Sequence, residues 1–284
     1  MRIRPEGIIA LMQPTSAGSK SVAIGGLGAI GLSVARQLDR DPRGLQLVAV
    51  AASSPERARQ KTASFRNPPR IVDAAGLAEA EIVLEAAPAA AFESIARPAL
   101  EAGRTLVVAS AGALLRNRHL IEVAERSGAR IVLPSGALAG LDAIRALALD
   151  EVASVVLETR KPPKGLAGAP YLIRNGVEVE KIREATCVFR GTALEAAEGF
   201  PANANVAATL ALAGIGPEAT RVEIWADPAV MRNTHTIRVQ AAAARLEIRV
   251  ESEPSRDNPR TSRLAPLSVL ACLRGLDAVL RSGS

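Results

Sequence analysis

The sequence predicts an α/β chain in two parts: a doubly wound parallel sheet, then a second α+β part with a mostly antiparallel sheet. Three observations predict it. A buried-strand run, a glycine motif and a helical run succeed one another across Lys20–Asp39. Strands apolar throughout then alternate with helices of about ten residues, the pattern of a parallel sheet covered on both faces. After about residue 140, strands come one after another with few helices between them, which favours antiparallel pairing.

Composition narrows the class. The chain has 284 residues, 48% of them apolar, enough for a sizeable core. Four Phe, one Trp and one Tyr leave that core to Ala, Val, Leu and Ile. The net charge of +6 raises the question of nucleic acid. The basic residues are scattered and no run of them is interleaved with aromatics, so nucleic acid is not expected. A positive field also suits small anions such as dinucleotides and dicarboxylates. Cys187 and Cys272 read as small buried hydrophobes, and no metal-ligand spacing is present. The one apolar run near the start, Gly7–Met12, is too short for a membrane span or signal core. A soluble, cytoplasmic protein is therefore expected, with residues 1–20 as an arm that is poorly ordered.

The elements come in order. SVAIGG (21–26) reads as a buried strand, and AIGLSVARQLD (29–39) as a helix with an apolar stripe at Ile30, Val34 and Leu38. DPRG breaks it, and LQLVAVAAS is the second strand. SPERARQKTASF opens with a Ser cap and a Pro at the first helical position. EIVLEAA, TLVVAS and ARIVLPS continue the strands, with helices over 88–103 and 117–128 between them. The right-handed crossover rule makes this a doubly wound domain. In the second part GLDAIRALALD and NVAATLALAG are helical, and EVASVVLETR, RVEIWADP, THTIRVQAA and ARLEIRVES are strands. The closing TSRLAPLSVLACLRGLDAVL is helical again, with Pro266 near enough to its start to be tolerated.

Gly26, Gly28 and Gly31 spell GxGxxG between the first strand and helix. Gly26 serves the tight turn, Gly28 lets a pyrophosphate reach the backbone, and Gly31 lets helix and strand pack closely. Ala29 and Ile30 complete the loop, and the helix dipole favours the diphosphate. In this strand–helix context the reading is a Rossmann dinucleotide site rather than a plain turn. An NAD-specific domain carries an acid at the end of its second strand. Here Ser53 and Ser54 stand there, followed by Arg57, so NADP is accepted as well as NAD and Arg57 is placed to pair with a 2′-phosphate.

Only two histidines exist. His119 lies on an amphipathic helix among charged neighbours and reads as a surface residue. His235 comes after the turn Asp227–Pro228 at the mouth of a strand, where a proton carrier of near-neutral pKa is available.

A longer set of motifs goes further: GLGAIG, SAGAL (110–114), LPSGALAGLDAI (133–144), TRKPP (159–163), the run 189–214, ADPAVMRNTHTI (226–237) and DNPRTSRLAPLSV (257–269). Together they resemble the L-aspartate dehydrogenase family from about residue 21 to the end. The resemblance implies a Rossmann domain over 21–136 and 260–284, its C-terminal helix returning to it, and an α+β substrate and dimerisation domain over 137–259. It implies reversible conversion of L-aspartate, through iminoaspartate, to oxaloacetate and ammonia with NAD or NADP. It also implies a homodimer, His235 as active-site residue, and Ala139 and Asn205 as cofactor contacts. Two substrate carboxylates need fixed cations or donors. Lys161 and Lys164 are candidates, with Arg160 beside them, as are Asn258, Arg260, Thr261 and Ser262. Two other readings stand beside this one. A dihydrodipicolinate-reductase-like protein would show paired histidines followed by lysine, and none is present. A silent dinucleotide-binding regulator would keep the glycine loop and lose His235.

Overall fold

A computed structural model describes residues 18–255, 261–276 and 278–280. The chain forms two compact units. The first takes the described residues up to Ser110, Arg118–Pro134 and those from Pro266 on; the second takes Ala111–Asn117 and Ser135–Ala265. Residues 111–117, expected from the sequence in the first domain, thus group with the second unit. Lys20, expected in the arm, is the first residue of a strand.

The first unit is built on six strands: β1 (Lys20–Gly25), β2 (Leu45–Ala51), β3 (Arg70–Ile71), β4 (Ile82–Glu85), β5 (Thr105–Val108) and β6 (Arg130–Val132). All pair in parallel, in the order β3-β2-β1-β4-β5-β6. The order reverses between β1 and β4, the switch point where open α/β sheets bind ligands beyond their strand ends. Helices α1 (Ala29–Arg40), α2 (Pro55–Thr62) and α3 (Phe92–Glu101) make the crossovers from β1, β2 and β4. Strand β5 leads into α4 (Ala111–Arg116) and α5 (His119–Ser127) before β6. The apolar stripe of α1 lands as its spacing requires, with Val34 and Leu38 buried against Val22, Ile24, Leu47 and Val50.

The second unit opens with α6 (Leu141–Leu147) and the ten-residue β7 (Val152–Lys161). Then come α7 (Pro170–Arg174), β8 (Thr186–Thr192), α8 (Ala193–Gly199), α9 (Asn205–Ala213), β9 (Arg221–Ala226), β10 (Asn233–Ala241) and β11 (Arg245–Ser252). The sheet order is β11-β10-β7-β9-β8, and all pairs are antiparallel except β7–β9. Strand β8 is not evident from the sequence. It is a sheet edge, and its Arg190 and Gly191 interrupt the apolar run. Helix α8 begins in a capping box between Thr192 and Glu195. Tyr171, Phe189 and Phe200 meet in a triangle with ring centroids 5.1 to 5.5 Å apart, concentrating half of the chain's aromatic rings in one core.

The last helix, α10 (Leu264–Gly275), contributes Val269, Leu270 and Leu273 to the first unit's core. Arg274 Nη2 ties it there through the carbonyl of Asp41 at 2.9 Å and its carboxylate at 3.1 Å. The fold class expected from the sequence therefore holds, returning helix included. Among the described residues no helix is long and apolar enough to cross a membrane.

Candidate active site

The glycine loop of the first unit answers to its sequence residue by residue. Gly26 has φ +98°, and a Cβ there would lie 2.6 Å from the Ala86 carbonyl oxygen, so only glycine fits. A Cβ on Gly31 would fall onto the Gly26 carbonyl, so helix and loop meet there without a side chain between them. Gly28 differs. Its φ of −80° is open to any residue, and a Cβ would meet no protein atom within 4 Å. The protein's own packing gives no reason for glycine at this exposed N-cap, whereas a diphosphate against the backbone does. The loop, with Ala29 and Ile30 opening α1, fits a dinucleotide. Lys61 Nζ donates to the Leu27 carbonyl at 2.8 Å and braces it.

At the end of β2, Ser53 is exposed and Ser54 caps α2 by accepting from the Arg57 N–H at 3.3 Å. Arg57 is exposed and makes no ion pair among the described residues, and no carboxylate terminates the strand.

A group that the sequence did not single out lies at the end of β4. Glu85 is completely buried. Its carboxylate accepts from the N–H of Ala87 (2.9 Å), the N–H of Ser110 (3.1 Å) and the Ser110 hydroxyl (3.1 Å). Burial pushes its pKa up to about 7 against the pull of those three donors. Ser110 Oγ also lies 3.1 Å from the Ala87 carbonyl, so a protonated Glu85 can donate to the hydroxyl while the hydroxyl turns to that carbonyl.

In the second unit the register of two antiparallel strands builds a polar cluster. His235 of β10 pairs with Thr159 of β7, and Lys161 lies two residues on, on the same face. His235 is 3% exposed, and its Nδ1 lies 3.1 Å from Thr159 Oγ1. Lys161 is 6% exposed, and its Nζ donates to the Asn203 side-chain oxygen. Asn203 is positioned by its N–H bond to the carbonyl of Phe200, a corner of the aromatic triangle. A small cavity of about 10 Å³, room for about one water, lies among Thr159, Asn203 and Phe200.

The near-neutral histidine expected from the sequence is corrected here. Burial, and then the Lys161 ammonium, hold the His235 pKa down to about 3. Burial alone lowers Lys161 to about 8. An imidazole in this place is neutral, which is the form that accepts a proton, and an anion bound beside it raises both values.

The remaining candidates scatter. Lys164 is exposed in a 3₁₀ turn, Pro163–Gly165. Arg160 points to the opposite face, over the Trp225 ring at 4.5 Å and paired with Glu158 and Asp227. The Ser262 hydroxyl accepts from the Leu264 N–H and so caps the last helix, while the Thr261 carbonyl holds Ser255 N–H. Asn258 and Arg260 lie outside the described residues. Ala139 is exposed just before Gly140, the N-cap of α6. Asn205 does not cap its own helix; its side-chain oxygen accepts from the Gly112 N–H at 3.1 Å. His119 sits at the surface against Glu93 and Arg97, as expected. Thr159 and Asn203 carried faint signals, the first two residues before a candidate lysine, the second two before a candidate asparagine. No group of acids, histidines and cysteines among the described residues is arranged to hold a metal.

Comparison with known proteins agrees across both units. Residues 26–134 match the family described as homoserine dehydrogenase, NAD binding domain, and residues 142–276 match aspartate dehydrogenase, C-terminal. The L-aspartate dehydrogenase of Bradyrhizobium diazoefficiens is 45% identical over 95% of this chain and 96% of its own. L-aspartate dehydrogenase 3 of Bordetella bronchiseptica is 45% identical over 93% and 97%. The solved aspartate dehydrogenase of Thermotoga maritima superposes with a TM-score of 0.71 at 25% identity, covering 93% of this chain and 99% of that one. A hyperthermophilic archaeal homoserine dehydrogenase in complex with NADPH, 12% identical with a TM-score of 0.56, shares the fold.

Proposed function

The chain belongs to the L-aspartate dehydrogenase family, and from that premise we propose that it catalyses the reversible NAD(P)-dependent deamination of L-aspartate, through iminoaspartate, to oxaloacetate and ammonia. The observation that carries this reading is the buried trio His235, Thr159 and Lys161, a neutral imidazole held beside an ammonium that no carboxylate compensates among the described residues. Such a site attracts a small anion and offers it a base.

Gly26, Gly28 and Gly31 would hold the cofactor diphosphate, with Ser53 and Arg57 at its ribose end and Ala139 and Asn205 as further contacts. A bound nicotinamide supplies the electron acceptor for the α-carbon. Hydrolysis of the resulting carbon–nitrogen double bond needs a proton taken from water. His235 takes it on Nε2. This role requires the tautomer in which Nδ1–H donates to Thr159 Oγ1, which also fixes the plane of the ring. Lys164 and the hydroxyls of Thr261 and Ser262 are the candidates for the substrate carboxylates, although the fold does not gather them, and Lys161 faces the charged end of the amino acid. The absence of an acid at the β2 end supports use of NADP as well as NAD. The family likeness supports a homodimer, which light scattering tests directly.

The decisive assay mixes the protein with oxaloacetate, ammonium and either NADH or NADPH and monitors loss of reduced nicotinamide. Ammonium-dependent oxidation is expected, and its absence with both cofactors would sink the proposal. His235→Ala should lower turnover by a factor on the order of a hundred or more while cofactor binding persists. Unchanged turnover would remove His235 from the mechanism.

A further inference from the structure

Lys161 is an unusual place for an amine. It ends β7 with its ammonium buried, and its one hydrogen-bond partner among the described residues is the neutral side chain of Asn203. Among the described residues, the charged and titratable groups around it are few. From β10 it faces His235. At the end of β9, Asp227 donates its N–H to the Lys161 carbonyl, but its carboxylate is committed to Arg160 and to the Ala229 N–H. Arg160 itself lies on the other face of β7, and Lys164 is exposed. No carboxylate among the described residues holds a proton on Lys161, so the amine can lose it.

A lysine kept only to grip a carboxylate works best fully charged, and an arginine would do so with two parallel bonds. A buried, uncompensated amine is suited to giving and taking a proton instead.

We propose that Lys161 is a catalytic acid/base that removes the proton from the α-ammonium of the bound amino acid and later returns it to the departing nitrogen. This rests on the aspartate dehydrogenase reading. In the first step a substrate N–H bond breaks and a bond to Lys161 Nζ forms, leaving a neutral amine on the substrate and an ammonium on the lysine. The freed lone pair on the substrate nitrogen is what allows the α-carbon to be oxidised to the imine. Water then adds at that carbon and gives its proton to His235. As the carbon–nitrogen bond of the adduct breaks, the bonding pair leaves with nitrogen. That nitrogen takes the proton stored on Lys161, and the hydroxyl proton makes it ammonium. His235 releases the one net proton to solvent, and both side chains return to their starting forms. The pKa near 8 of Lys161 places its neutral form within working range.

Three variants and a pH profile test the assignment. Lys161→Arg keeps the charge but cannot exchange its proton, and Lys161→Met keeps the volume without charge. Both should lower kcat for deamination by a factor on the order of a hundred or more, with cofactor binding retained, as read by the fluorescence of bound NADH. In the wild-type protein kcat/KM for aspartate should rise with pH through about 8, and in Lys161→Met that limb should move up towards the ordinary pKa of the substrate's own amino group. A small primary amine added to Lys161→Ala should restore part of the rate. An active Lys161→Arg enzyme would make the residue a carboxylate anchor and overturn the proposal. So would a wild-type profile flat between pH 7 and 9, an observation that needs no variant to fold. A wild-type protein without ammonium-dependent activity would remove this proposal together with the reading on which it rests.

Discussion

Each unit buries an ionisable site at the end of a central strand, and the two are satisfied in opposite ways. In the first, Glu85 receives three donors from its own chain, two of them backbone N–H groups. In the second, Lys161 and His235 have one side-chain partner each among the described residues, both neutral. A buried polar group with all its bonds filled is part of the scaffold, because removing it strands its partners. A buried group left short of partners costs stability in the free protein and has bonds to offer a ligand. The contrast separates what holds the β4 and β5 ends together from what is held ready for substrate.

The largest effect on stability should come from breaking the satisfied site. Glu85→Ala removes a fully buried side chain and orphans the N–H groups of Ala87 and Ser110, while the Ser110 hydroxyl keeps the Ala87 carbonyl, at a cost of about 3 kcal/mol, read by denaturant titration. A change below about 1 kcal/mol would mean that the network contributes little. The pH dependence sharpens the point. Glu85 is raised from 4.5 to about 7, so the folded state holds a proton that the unfolded chain has lost, and stability falls as pH rises through that window. His235 is lowered from 6.5 to about 3, so the unfolded chain binds the extra proton and stability rises with pH between those values. The two slopes oppose each other between 4.5 and 6.5. Glu85→Gln should leave the histidine slope exposed, a gain in stability of up to about 1.4 kcal/mol per pH unit on going from pH 5 to 6.

A smaller change of the other sign is expected at the unsatisfied site. Lys161→Met exchanges a buried ammonium that no carboxylate compensates among the described residues for an apolar chain of similar length, and Asn203, half-buried, can turn its oxygen to water. Melting at pH 7 should show no loss of stability and a gain of up to about 1 kcal/mol, even as activity collapses. Because Lys161 is lowered from 10.5 to about 8, the wild-type protein gains stability as pH rises between those values. The gain of the variant over wild type should therefore shrink towards pH 10. A clear loss at pH 7 would place Lys161 with Glu85 among the structural groups.

The same contrast explains what was legible in the sequence. Gly26 and Gly31 are demanded by local backbone geometry, and local geometry leaves a fixed spacing that can be read directly. The apolar strands and the stripe of α1 were legible for the same reason. His235 stood out because histidine is rare here and comes after a turn. Glu85, by contrast, ends an apolar run and looks like a strand reaching solvent; its three donors come from residues two and twenty-five positions away. The partnership of Thr159 and His235 depends on the register of strands separated by 76 residues, which no spacing records. Asn203 reaches Lys161 across 42 residues, through a loop whose shape depends on Phe200.

The smallest effect on stability belongs to Gly28, and it isolates function from fold. Gly26 and Gly31 are glycine because the protein's own atoms crowd them, whereas Gly28 has an ordinary φ and open space around its missing Cβ. Gly28→Ala should change stability by less than about 1 kcal/mol, since only a weak N-cap preference is lost. Its cost should fall on the cofactor: the methyl group enters the space where a diphosphate meets the backbone, so the Kd for NADH or NADPH should rise at least tenfold, about 1.4 kcal/mol. Gly26→Ala, by comparison, should unfold the loop and lose stability and cofactor together. If Gly28→Ala bound cofactor as the wild-type protein does, the diphosphate would not lie at this turn, and the sequence motif would be explained by packing at Gly26 and Gly31 alone.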